Sequence, residues 1–174
     1  MTQEEIRIRS TYLFLTCSQA VEQLKGRLVG TCAASPLSAA PTLEGALRRE
    51  LGMLFRYWTT RRIWERLESS EADAKLLNLA LLRLFTDAFK LPRDGSGLRY
   101  AQLSTPAEEV RELSRRITTA LGLEHPPLLA ELQGSILLSR DAVLQHTADA
   151  LERPVDRLAA DVKAWAERTP ERPS

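Results

Sequence analysis

Apolar residues recur three and four positions apart along nearly the whole chain, and no stretch alternates strictly between apolar and polar. A spacing near 3.6 lines one face of a helix, whereas a half-buried strand needs a spacing of 2. The pattern predicts an all-α fold. Thr2-Gln3-Glu4-Glu5 has the form of a capping box, ahead of a stripe through Leu13, Cys17, Val21, Leu24 and Leu28. Gly30 to Pro41 reads as a loop. A second helix starts near Thr42, with Leu47, Leu51, Leu54 and Trp58 on one stripe. Beyond Thr59-Thr60 the stripe moves to Ile63, Trp64 and Leu67. On one continuous helix those stripes lie on nearly opposite faces. Either the helix breaks at the threonines, or it is buried first on one side and then on the other.

Ser70-Glu71-Ala72-Asp73 caps a third helix, to about Lys90, that is apolar almost all round. Such a helix suits the centre of a bundle. Leu91 to Leu103 carries Pro92, Gly95 and Gly97 and reads as a loop. Thr105-Pro106-Ala107-Glu108 opens the next helix and Gly122 stops it. His125-Pro126-Pro127 turns into a short helix ending near Leu138. Ser139 opens another, and Pro154 a last one with the stripe Val155, Leu158, Val162 and Trp165. The expectation is a compact bundle of six to seven helices, one domain over residues 1–168, with a frayed tail at 169–174.

No apolar run approaches the roughly 18 residues needed to cross a bilayer. The N-terminus has no signal-peptide pattern, and the two cysteines, Cys17 and Cys32, do not form a metal motif. A cytoplasmic protein with reduced thiols is expected, with no membrane partner and no cofactor. Residues 1–103 hold 15 basic and 11 acidic side chains, or +4; residues 104–174 hold 9 and 12, or −3. Arginine outnumbers lysine 20 to 4, which suits bidentate contacts to phosphate or carboxylate but is also what a GC-rich genome produces.

Nothing in the chain matches a catalytic signature: no HExxH, no GxSxG, no phosphate-binding loop. His146 and Asp149 are spaced to meet on one helix face, and a surface pair is the expected outcome. Gly95-Ser96-Gly97 reads as a turn whose amides could form a small anion nest. Glu108, Glu109 and Glu112 read as first-turn acids that complement the helix dipole. No catalytic residue, metal ligand or enzymatic activity is predicted.

The segment Arg48 to Arg66, RRELGMLFRYWTTRRIWER, holds six arginines, two glutamates and four aromatics. On one helix Arg48, Arg49, Arg56, Arg62 and Arg66 fall within an arc of about 140°, with Arg61 outside it. Such a face can track several phosphates without reading bases. The predicted nucleic-acid contacts are these six, with Arg111, Arg115 and Arg116 as a second patch. Tyr57, Trp58, Trp64 and Trp165 are the predicted partner-binding residues, because tryptophan, tyrosine and arginine dominate protein interfaces. The same segment would also serve as an ordinary core helix with a solvated face.

In size, helical pattern, lack of catalytic motifs and this arginine–aromatic stretch, the chain resembles the small all-α subunits of CRISPR effector complexes. The resemblance implies a non-catalytic helical subunit of a ribonucleoprotein assembly. Such a subunit stacks on copies of itself or on other subunits and touches RNA or single-stranded DNA through basic side chains. The family has no diagnostic motif, so no residue role is carried over. The alternative from the residues themselves is an adaptor bundle that binds protein and no nucleic acid. A regulator with a small-molecule pocket between helices is a third reading.

Overall fold

In a computed structural model, which describes residues 1–32, 43–122 and 128–168, every regular element is helical. The helices are α1 (Gln3–Cys32), α2 (Leu43–Arg66), α3 (Glu71–Phe89), α4 (Pro106–Leu121), α5 (Leu128–Glu152) and α6 (Val155–Arg168). A 3₁₀ helix, Ser96–Gln102, lies between α3 and α4. The all-α bundle is as predicted. No described helix is long and apolar enough to cross a membrane. The expected 169–174 tail, the turn at His125–Pro127 and most of the Gly30–Pro41 loop lie outside the described residues. α1 itself continues through Gly30 to Cys32.

The helix starts follow local chemistry. Thr2 and Glu5 exchange hydrogen bonds, the Thr2 hydroxyl accepting from the Glu5 amide at 3.1 Å and the Glu5 carboxylate from the Thr2 amide at 2.8 Å. Thr105 and Glu108 form the same reciprocal box at the head of α4, with Pro106 inside it. α4 ends where Gly122 adopts φ 67, a conformation a side chain disfavours. Ser70 departs from expectation. Its hydroxyl donates to Asp73 at 2.8 Å and caps no backbone amide, while Asp73 also pairs with the N-terminal ammonium at 2.9 Å.

α2 lies at the centre, packing against α1, α3, α4, α5 and the 3₁₀ helix. Glu50 to Phe55 are buried without a break, so this stretch is covered on every side. That resolves the shifted stripe: the helix runs unbroken through Thr59, whose hydroxyl donates to the Arg56 carbonyl at 2.8 Å. Gly52 permits the closest approach, since a Cβ there would sit 2.6 Å from Cγ of Phe89 on α3.

Two expectations are corrected. α3 is not the central helix: Ala74, Leu77, Leu81, Phe85 and Phe89 are buried, while Leu76, Leu79 and Leu82 face outward. α5 is a single helix where a break was expected near Ser139. The Ser139 hydroxyl bonds back to the Ser135 carbonyl at 2.9 Å, so it is satisfied inside the helix and forces no new start. One core joins the buried faces, including an edge-on contact of Phe14 with Phe85.

Candidate docking and nucleic-acid interfaces

The aromatics of the α2 segment divide by burial. Phe55 and Trp58 belong to the core. Trp58 is 1% exposed, and its indole N–H donates to Glu109 Oε2 at 2.7 Å. Trp58 is therefore corrected from a partner-binding residue to a core one. Tyr57 is half-buried and stacks on the buried Tyr100 ring, with centroids 5.9 Å apart. Trp64 is 38% exposed and available to a partner. Trp165 is half-buried on α6.

Seven of the nine candidate arginines are held by glutamates of the same chain. Arg48 meets Glu22 at 2.7 Å and also donates to the Ala88 carbonyl. Arg61 and Arg62 share Glu65, and Arg66 reaches Glu152 on α5. Arg115 pairs with Glu112 at 2.6 Å. Arg49 and Arg116 both meet Glu50, at 3.6 and 2.6 Å. Only Arg56 and Arg111 of the nine have no ion pair among the described residues. The pairs differ in weight. Exposed ones such as Arg61–Glu65 hold by less than about 1 kcal/mol, so a phosphate can displace the glutamate. The Arg116 and Glu50 side chains are only 11% and 6% exposed, and separating them would strand a charge at a cost of about 3–5 kcal/mol. Arg116 therefore works inside the fold.

Beneath this surface lies a polar cluster that local reading missed. Glu50, Glu109 and Glu112 are all buried. Glu109 takes the Trp58 hydrogen bond and lies 3.5 Å from Arg140 on α5. The Arg115 hydrogen bond, outweighing burial, holds Glu112 below the ordinary carboxylate range. Of the three acids predicted for the first turn of α4, only Glu108 acts as a cap, while Glu109 and Glu112 tie α4 to α2, α5 and the 3₁₀ helix. The available signal was their spacing, which places them beside the buried Val110, Leu113 and Ile117.

The other expected constellations are modest. Asp149 accepts from Gln145 at 3.1 Å, while Nδ1 of His146 has no hydrogen-bond partner. Burial pushes the His146 pKa down, against a weaker upward pull from Asp149. Gly95, at φ 75, opens the 3₁₀ helix, and the Leu98 amide donates to its carbonyl at 2.9 Å. No group of three or more metal-ligating side chains occurs among the described residues.

The largest departure from a closed core is on α3. Leu76 and Leu79 are each 50% exposed and Leu82 is 37% exposed, at successive intervals of three, with Leu98 of the 3₁₀ helix 64% exposed. By the 100° step, Lys75 and Arg83 flank this ridge about 40° either side of Leu79. Compared with protein-family models, curated proteins and solved structures, the chain matches none.

Proposed function

We propose that this protein is a non-enzymatic helical subunit that docks a partner protein on the outward ridge of α3. The observation that carries the reading is the exposure of Leu76, Leu79 and Leu82 at helical spacing. Single exposed leucines need no explanation, but an aligned row forms a seam for another helix. The charges beside the row select the occupant. In a symmetric antiparallel pairing of two copies centred on Leu79, Lys75 would face Arg83 and Glu71 would face Asp87. Both encounters set like charges together, which disfavours a second copy. The partner is an amphipathic helix with an aliphatic ridge flanked by acids opposite Lys75 and Arg83.

The test uses two labelled helical peptides with the same leucine ridge, one flanked by glutamate and one by lysine, titrated by fluorescence anisotropy. The glutamate peptide should bind, the lysine peptide should not, and Leu79→Ser should abolish binding. Equal binding of both peptides, or binding that survives Leu79→Ser, would refute the ridge. A concentration-dependent dimer in sedimentation, broken by Leu79→Glu, would replace the partner with a second copy.

Contact with a nucleic-acid backbone, as in the resembled CRISPR subunits, is the second reading. It is favoured by one feature, the exposed Trp64 set among Arg61, Arg62 and Arg66, whose surface pairs a phosphate can displace. In this reading Arg61→Glu with Arg62→Glu removes salt-sensitive binding of labelled RNA and single-stranded DNA. Absence of such binding in the unaltered chain at low salt decides for protein docking alone.

A further inference from the structure

Arginines across most of this protein are matched to acids or carbonyls, but three that line a single cavity are not. The cavity, of about 500 Å³, lies between α2, α3 and the connector that follows α3. Its wall contains Arg56 from α2, Arg83 from α3 and Arg93 from the connector, and no ion pair with any of them exists among the described residues. Arg56 is half-buried; its Nε is shut off from solvent without a hydrogen-bond partner, and burial lowers its pKa. Asp87 shares the wall but pairs with none of the three. The remaining surface is largely aliphatic, contributed by Met53, Leu82, Leu91 and Leu98.

Only Nε of Arg56 is shut off from solvent, so the rest of its guanidinium stays open to an anion, and to such a half-buried charge a folded chain ordinarily supplies a carboxylate. Here the chain supplies an apolar hollow beside the charge. Its size is that of small-molecule sites, which are mostly apolar with a few polar groups that fix orientation. Guanidinium forks match carboxylates in two-point geometry. We propose that this cavity binds a small amphipathic carboxylate, its head group held by Arg56 with Arg83 or Arg93 and its hydrocarbon body against Met53, Leu82 and Leu91. Leu82 and Leu98 belong to both the cavity wall and the outward apolar surface, so the ligand would lie at one end of the docking ridge. The site itself requires no partner protein.

The experiment is calorimetric titration of the full chain with decanoate below its micelle threshold, with decanol and inorganic phosphate as comparison probes and thermal unfolding as a second readout. Decanoate should bind and raise the unfolding temperature, as any ligand selective for the folded state does. Decanol should bind at least about tenfold more weakly because it lacks the charged head group, a hydrogen bond to a charged group carrying roughly that factor or more. Inorganic phosphate should bind at least about tenfold more weakly because it buries no hydrocarbon, and each buried CH₂ adds to affinity. Arg56→Met should weaken decanoate by a similar factor and still fold, because it removes a half-buried charge that lacks a counter-ion. Should that variant fail to fold, the double variant Arg83→Gln with Arg93→Gln, both at exposed positions, carries the same test, and Arg157→Gln on α6 should change nothing. The proposal is overturned by an absence of decanoate binding, by equal affinity for decanol, by equal protection from phosphate alone, or by decanoate affinity unchanged in a folded Arg56→Met or, where that variant does not fold, in the Arg83→Gln with Arg93→Gln double variant.

Discussion

Asn78 illustrates how far single residues depart from their local reading. In sequence it sits in a run of leucines and breaks an apolar stretch. In the fold both its amide nitrogen and its amide oxygen are shut off from solvent with no hydrogen-bond partner. An unsatisfied buried polar group costs about 1–3 kcal/mol, and leucine has the same γ-branched shape. Asn78→Leu is therefore expected to stabilise the protein by about 1 kcal/mol, a rise of roughly 2–4 °C in unfolding temperature for a chain of this size. A fall in calorimetry would mean that the amide is satisfied after all. Lys90 is a second such position. It ends α3 at φ 53, and its amide donates to the Thr86 carbonyl. Lysine disfavours the left-handed region and glycine does not, but glycine also loosens the unfolded chain. The balance favours Lys90→Gly by about 0.5–1 kcal/mol in urea unfolding.

At the scale of the element, α2 and α3 exchange the roles that their composition suggests. α3 is richer in leucine, yet α2, with six arginines between Arg48 and Arg66, occupies the centre. Long arginine stems reach glutamates on neighbouring helices and let a polar helix lie deep. Arg48 reaches Glu22 on α1 and lies 5.0 Å from the Phe89 ring centroid, covering that aromatic. The α2–α3 contact itself depends on Gly52. Gly52→Ala gains helix propensity, about 1 kcal/mol, but drives a Cβ into Cγ and Cβ of Phe89, where the Cβ is fixed by the backbone and the buried ring has little room to turn. The clash prevails, and a net loss of about 1–2 kcal/mol is expected in urea unfolding. A gain would show that the two helices can separate without penalty. Cap signals were legible at α1 and α4, because Thr2, Glu5, Thr105, Glu108 and Gly122 act through bonds only three or four residues long, but not at Ser70, which caps no amide, nor at Ser139, which lies inside α5.

Across the whole molecule, the buried glutamates join α4 to the rest of the bundle and couple stability to acid. The Arg115 hydrogen bond lowers the pKa of Glu112 in the fold from the ordinary 4.5, so its stabilising contribution is complete above that value and declines as pH falls toward the lowered one. Glu112→Gln should lower the unfolding temperature near neutral pH. The difference from the unaltered protein should shrink under acid, and a difference independent of pH would show that the carboxylate charge is not what matters. The repeat of apolar residues was enough to define the all-α class and most helix ends, because these follow from neighbours within one or two turns, but not the continuity of α5 through Ser139. It also marked Trp64 and the arginines of α2 as candidates without showing which were engaged. Which face each helix buries, and which arginine meets which acid, depended on contacts made across 26 residues for Arg48 with Glu22 and 66 for Arg116 with Glu50. Those pairings, the outward turn of the α3 leucines and the unmatched arginines of the cavity arise only when helices distant in sequence are packed together, since local spacing carries no information about which surfaces will meet.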